Sequence, residues 1–142
     1  MNFYLDASAI MPILIDEPAS VGVNAFVRSR DGALVVGEFA AAETASAFSR
    51  LVRMGTLLAE GAAARLADFD TWRTAETDTV DLQPSDARLA NIFVRRFDLM
   101  LRAPDALHAA ICRRTGNVLV TLDRRLARAA TELGVGVVLP EA

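Results

Sequence analysis

Residues 102–125 have the sequence RAPDALHAAICRRTGNVLVTLDRR, which predicts a helix followed by a short apolar strand. Pro104 suits the first turn of a helix, and Gly116 suits the position just past its end. Asp105 then lies in the first turn of the helix, and Asp123 follows the strand. If the strand is parallel to its neighbours, Asp123 lies at its carboxyl end, where open α/β sheets bind ligands.

The rest of the chain also alternates short apolar strands with helices. Further strands are predicted at 2–6, 33–36, 79–82 and 135–139. Helices are predicted after Asp6, at 21–29, 37–54, 57–74 and 85–97, and after Asp123 as far as Gly134. This alternation favours a parallel sheet covered on both faces. We therefore expect residues 1–142 to form a single three-layer α/β/α domain with a central, mainly parallel sheet of about five short strands.

The composition is that of a globular protein, with 53% hydrophobic and 23% charged residues among 142. There is no apolar stretch long enough to span a bilayer, so we expect a cytoplasmic protein with no membrane partner. Cys112 is the only cysteine, which excludes an internal disulfide and a cysteine-based zinc site.

The basic side chains are concentrated in the last third of the chain. Eight arginines lie between Arg95 and Arg128, against three aspartates, although the formal net charge of the chain is −3. Such a surface could contact phosphates, or it could be an ordinary solvated helix face. Five of these arginines are candidates for binding a phosphate-bearing substrate: Arg95, Arg96, Arg102, Arg124 and Arg125.

Four acidic side chains are candidates for one site. Asp6 and Asp123 each follow a predicted strand, and Asp105 can point at the same edge of the sheet. Glu43, in the long third helix, could reach the cleft, and Glu38 competes with it for this role. Clustered carboxylates repel one another unless a cation lies among them, and Mg²⁺ or Mn²⁺ prefers such oxygen ligands.

Each of these residues also has an ordinary structural explanation. The three aspartates could cap helices or interact with helix dipoles, and Glu43 could belong to an exposed charged face that includes Arg50. Ser8 and Thr121 could hydrogen-bond the carboxylates or metal-bound waters, or could be turn residues. His108 lies three residues after Asp105, so a local pair with Asp105 or plain packing is favoured over metal ligation.

Four segments together resemble the PIN-domain family, and in particular the VapC toxins of bacterial type II toxin–antitoxin systems. The resemblance runs over essentially the whole chain, in order. It is carried by Leu5-Asp6-Ala-Ser8-Ala, by 42–50 (AETASAFSR), by 104–110 (PDALHAA) and by 118–123 (VLVTLD).

The resemblance implies a Mg²⁺- or Mn²⁺-dependent ribonuclease that hydrolyses RNA by metal-activated water. It implies an acidic quartet of Asp6, Glu43, Asp105 and Asp123, and so selects Glu43 over Glu38. From the clustering of these acids we expect Asp6, Asp105 and Asp123 to hold one or two divalent ions. It also implies a homodimer inhibited by a VapB-like antitoxin. A PIN ribonuclease of RNA processing, outside any toxin–antitoxin pair, is the alternative.

Other functions fit the sequence less well. Phosphatases of the haloacid dehalogenase type and response-regulator receivers use a lysine against the phosphoryl group, whereas all 15 basic residues here are arginine. A nucleotide-binding domain would need a Gly-x-x-x-x-Gly-Lys or Gly-x-Gly-x-x-Gly loop, and neither motif occurs. A catalytically inactive binding module would have no use for four converging carboxylates.

Overall fold

The computed structural model describes residues 1–140, so the last two residues of the predicted domain lie outside the described part of the chain. The strands are β1 (Asn2–Leu5), β2 (Ala33–Val35), β3 (Thr77–Asp78), β4 (Val118–Val120) and β5 (Val137–Val138). The helices are α1 (Ala7–Leu14), α2 (Ser20–Ser29), α3 (Glu38–Arg53), α4 (Ala59–Glu76), α5 (Pro84–Val94), α6 (Ala103–Thr115) and α7 (Arg124–Glu132). A 3₁₀ turn, Phe97–Leu99, separates α5 from α6.

The five strands form one parallel sheet in the order β3-β2-β1-β4-β5. This confirms the predicted α/β fold. The central strand is β1, and its Leu5 lies opposite Val120 of β4. The ladder continues for one more residue, because the amide of Asp6 donates to the carbonyl of Val120 at 3.3 Å. The carboxyl ends of β1 and β4 therefore meet at the same edge of the sheet.

Helices cover both faces of the sheet, because successive side chains of each strand point to opposite sides. Phe3 and Leu5 pack in one buried cluster with Ile10 of α1 and Phe69 of α4. Tyr4 belongs to a second cluster, on the side of α6 and α7, that includes Ile111 and Leu126. The tyrosine therefore faces the helix that carries Asp105 and His108.

The strand predicted at 79–82 was misplaced, because the third strand is Thr77–Asp78. Its position is set by pairing with β2, where Val35 lies opposite Asp78. Sheet-like hydrogen bonding reaches only as far as Val80, whose carbonyl accepts from the amide of Glu38 at 3.2 Å. Leu82, which the pattern placed in the strand, is exposed.

The helix predicted at 85–97 ends earlier, at Val94. The 3₁₀ turn and the left-handed backbone of Met100, with φ of 55°, turn the chain toward α6. Phe97 was predicted to be the last residue of this helix, but it lies in the 3₁₀ turn and is 83% exposed. The buried face of α5 instead packs on α6 through Ala90 and Phe93.

Within residues 1–140, no helix combines the length and the apolar composition needed to cross a membrane.

Candidate active site

Asp6 is buried where β1 ends and α1 begins. Its carboxylate caps α1 by accepting from the amide of Ala9 at 3.1 Å, and it also accepts from the hydroxyls of Ser8 and Thr121, each at 2.6 Å. Burial raises the pKa of this carboxyl, and the hydrogen bonds from Ser8, Thr121 and the amide of Ala9 oppose that rise only in part. A buried carboxylate of this kind is stabilised by a cation.

Two hydroxyl groups connect Asp6 to the end of β4. Ser8 Oγ lies 3.2 Å from Thr121 Oγ1 and accepts from the amide of Leu122 at 2.9 Å. Thr121 Oγ1 accepts from the amide of Asp123 at 3.1 Å while donating to Asp6. The sequence allowed these two residues to be carboxylate partners or simple turn residues. In the structure their hydroxyls contact Asp6 directly.

Asp123 and Asp105 each lie in the opening turn of a helix. Asp123 Oδ1 accepts from the amides of Arg125 and Leu126 at 2.9 and 3.1 Å and so caps α7. Asp105 Oδ2 accepts from the amide of Arg102 at 3.4 Å. Burial raises the pKa of Asp105, and the negative charges of Asp123 and Asp6 contribute to the increase. Asp105 therefore lies close enough to Asp6 and Asp123 to be repelled by both.

Glu43 and Glu38 point into different parts of the molecule. Glu43 lines the cleft that also contains Asp105 and Asp123, and its carboxylate is hydrogen-bonded to His108. Glu38 forms an ion pair with Arg73 at 2.9 Å and lies 3.3 Å from the hydroxyl of Thr79. Of the two candidates, only Glu43 is among the residues that line this cleft.

The cleft is open and has a volume of about 560 Å³. Its walls are formed by Glu43, Arg102, Pro104, Asp105, Asp123, Arg124 and Arg125. Acidic groups that could hold a cation and arginines that could bind phosphate therefore share one cavity. The deeply buried Asp6, only 4% exposed, is not among the lining residues.

Two of the five candidate arginines lie outside this lining. Arg95, just past the end of α5, donates to Asn91 of that helix at 2.9 Å, and Arg96 forms an exposed ion pair with Asp98 at 2.8 Å. Arg102, Arg124 and Arg125 are exposed and line the cleft.

His108 contacts the candidate site in a way that the sequence pattern did not indicate. Its ring is buried and contacts Tyr4 and Glu43, so the local pair with Asp105 suggested by their spacing is absent from its hydrogen bonds. One signal was present in the sequence. Tyr4 lies in the predicted apolar strand that ends at Asp6, and a buried tyrosine hydroxyl needs a hydrogen-bond partner.

The donor set fits a hydrated divalent ion better than a fully protein-ligated one. Among residues 1–140, no group of three acidic, histidine or cysteine side chains is arranged to hold a metal directly. Mg²⁺ keeps several waters and is often bound through only one or two carboxylates together with substrate phosphates. The oxygen donors and the raised pKa values of Asp6 and Asp105 agree with that mode of binding.

Comparisons with known proteins identify the family of this chain. The PIN domain family matches residues 3–132. Ribonuclease VapC46 of Mycobacterium tuberculosis (strain ATCC 25618 / H37Rv) is 32% identical over 140 residues, which cover 96% of this chain and 96% of that protein.

Solved structures show the same fold at lower sequence identity. VapC20 of M. tuberculosis, a toxin that cleaves the sarcin-ricin loop, aligns with a TM-score of 0.70 and 15% identity, over 97% of this chain and 99% of that one. VapBC2 of Rickettsia felis aligns with a TM-score of 0.71 and 13% identity, over 98% of each chain. The chain therefore belongs to the PIN-domain family, within its VapC group of toxin ribonucleases.

Proposed function

We propose that this protein is an endoribonuclease toxin that requires Mg²⁺ or Mn²⁺ and hydrolyses RNA phosphodiester bonds. The observation that carries the proposal is the meeting of Glu43, Asp105 and Asp123 in one arginine-lined cleft. Buried Asp6 is joined to Asp123 by the hydroxyl of Thr121, which donates to Asp6 and accepts from the amide of Asp123. When bound, a divalent ion lowers the pKa of a water molecule and stabilises the charge that develops on the phosphate.

The protein groups have distinct roles in this proposal. Asp6, Asp105 and Asp123 would hold the ion together with its bound waters, and Glu43 would orient the attacking water and accept its proton. The hydroxyls of Ser8 and Thr121 fix the carboxylate of Asp6, to which both donate. In-line attack on phosphorus then expels the 3′ oxygen and leaves a 5′ phosphate on the other product.

Metal removal provides the direct test. Purified protein should cleave RNA, lose that activity in excess EDTA and regain it when Mg²⁺ or Mn²⁺ is restored. The metal should also raise the melting temperature. A free metal concentration of 100 times its Kd stabilises the folded state by about 2.7 kcal/mol. End-mapping of cleaved total RNA would identify the target and the 5′ phosphate. Undiminished cleavage in EDTA would contradict the proposal.

We also propose that the arginines of the cleft bind the RNA backbone. Replacing Arg102, Arg124 or Arg125 with glutamine should weaken binding and lower the slope of log K against log salt by about one for each phosphate that the variant no longer neutralises. Arg28→Gln, on α2, is the control. Arg96→Gln is a second comparison in the same series, because the guanidinium of Arg96 already forms an ion pair with Asp98. If the salt dependence of RNA binding is unchanged in all three cleft variants, the result would favour an ordinary solvated surface over RNA contact by these arginines.

The remaining proposals concern the protein's partners and setting. We propose a cytoplasmic homodimer, each chain a single domain over residues 1–142, that is inhibited by a VapB-like antitoxin. The family membership and the exposed apolar side chains of Leu58, Phe97 and Met100 support protein partners. Growth arrest on expression, relieved by a small neighbouring gene, would support the toxin. If expression causes no growth arrest while the purified protein still cleaves RNA, a role in RNA processing would be favoured.

A further inference from the structure

A chain of three side chains runs from the core of the sheet to the cleft. Tyr4 of β1 is fully buried, His108 of α6 is 2% exposed, and Glu43 of α3 is partly exposed. The hydroxyl of Tyr4 lies 2.6 Å from Nδ1 of His108, and Nε2 of the same ring is hydrogen-bonded to Oε1 of Glu43. Three separate elements thus meet at one imidazole.

The hydrogen-bond partners determine where the protons lie. Within residues 1–140, the hydroxyl of Tyr4 has no hydrogen-bond partner other than Nδ1 of His108. A buried hydroxyl that accepted from Nδ1–H would leave its own proton without an acceptor, which is costly. Tyr4 therefore donates to a bare Nδ1, and the ring proton is on Nε2. From there it is donated to the carboxylate of Glu43.

The imidazole is also held by its neighbours through ring packing. Its centroid lies 5.5 Å from that of Tyr4, with the ring planes at 63°, and 5.2 Å from that of Phe39. Phe39 lies on α3, the same helix as Glu43. The ring is thus restrained by hydrogen bonds at both nitrogens and by two aromatic neighbours.

We propose that Tyr4 and His108 are positioning residues, which fix the carboxylate of Glu43 at the edge of the cleft through a Tyr4→His108→Glu43 hydrogen-bond chain. The inference rests on the proposed role of Glu43 in RNA hydrolysis. A glutamate side chain has several rotatable bonds, and ordering it has an entropic cost. Binding Oε1 to a rigid imidazole removes most of that freedom before substrate arrives and leaves Oε2 for the reaction.

The proton assignment can be tested without measuring activity. His108 is the only histidine in the chain, so ¹⁵N-histidine labelling gives the NMR signals of one imidazole. At neutral pH we expect the Nε2–H tautomer, with Nδ1 showing the shift of an unprotonated acceptor. In Tyr4→Phe, which removes only the hydroxyl, that preference should weaken. An Nδ1–H tautomer or an imidazolium in the unmodified protein would overturn the assignment.

Kinetics test whether the chain matters for catalysis. Tyr4→Phe should lower kcat by about 10- to 100-fold and leave KM for RNA unchanged, because a misdirected carboxylate affects the reaction rather than substrate binding. His108→Gln retains an N–H donor near the position of Nε2 and should be more active than His108→Leu. Cys112→Ala is the control, because Cys112 belongs to the same buried cluster as Tyr4. Equal losses of kcat in Tyr4→Phe and Cys112→Ala at matched stability would overturn the proposal.

A double-mutant cycle separates this proposal from the function on which it rests. In a Glu43→Gln background, Tyr4→Phe should cause little further loss of kcat, because the residue through which it acts is already gone. Additive losses would overturn the positioning role. Full activity of Glu43→Gln, with Asp6→Asn and EDTA both inactivating, would also overturn it and leave metal-dependent cleavage intact. If EDTA and Asp6→Asn have no effect, the proposed function itself fails.

Discussion

Asp6→Asn should lower the rate of RNA cleavage by more than about 10³-fold, which corresponds to about 4 kcal/mol of transition-state stabilisation. Asparagine has nearly the same shape and can still accept from the amide of Ala9, but it lacks the charge that would hold a divalent ion. The metal-induced rise in melting temperature should disappear in the same variant. Both effects are measured on purified protein, with the exposed Asp70→Asn on α4 as the control.

The same substitution should not destabilise the metal-free protein. Burial raises the pKa of Asp6, so the folded state disfavours its charged form, and this cost appears as the pH rises through the ordinary aspartate range. Asparagine carries no such charge. At neutral pH, the metal-free melting temperature of Asp6→Asn should therefore equal or exceed that of the unmodified protein. An inactive variant that is also poorly folded would not support a metal-binding role for Asp6.

The largest expected loss of stability comes from Arg114→Met. The guanidinium of Arg114 binds both oxygens of Asp86, at 2.7 and 2.9 Å, and joins α6 to the start of α5. Asp86 is 1% exposed, so removing its partner leaves a buried carboxylate without a counter-charge. We expect a loss of about 3 kcal/mol, which corresponds to a fall in melting temperature of about 10 °C for a chain of this length.

The pH dependence of that loss provides a further check. Burial tends to raise the pKa of Asp86, but hydrogen bonds from Arg114 and from the amide of Gln83 outweigh it and lower the pKa. The stabilisation is therefore present above the ordinary aspartate pKa and is lost as the pH falls through the lowered value. The difference in unfolding free energy between the unmodified protein and Arg114→Met should narrow in acid. Arg65→Met, on the exposed side of α4, should show neither effect.

The order of elements could be predicted from the sequence because most boundaries have local chemical signals. Pro104 lies in the first turn of the helix that carries Asp105, and Gly116 ends that helix with a φ of 75°. The third strand was misplaced because β3 has only two residues, and its position depends on pairing with β2. Phe97 fitted the helical spacing, but it lies in a 3₁₀ turn that no local pattern distinguished from another turn of helix.

The acidic site was predictable only in part. Parallel strands bring their carboxyl ends to one edge, which was sufficient to place Asp6 and Asp123 together. Glu38 and Glu43 are five residues apart on one helix, so their side chains point about 140° apart. Which of them faces the cleft depends on how α3 packs. The contact of His108 with Tyr4, 104 residues away in sequence, is purely tertiary.

The sheet order has a consequence for the protein during its synthesis. The central strand is made first, yet one of its two neighbours, β4, comes near the end of the chain. The hydroxyl that holds Asp6 belongs to Thr121, 115 residues later. A ribosome-bound chain without this last segment therefore lacks Asp123 and a supporting contact of Asp6. If these residues form the catalytic centre, as we propose, it is among the last features to form, and we expect an incomplete nascent chain to be unable to cleave RNA.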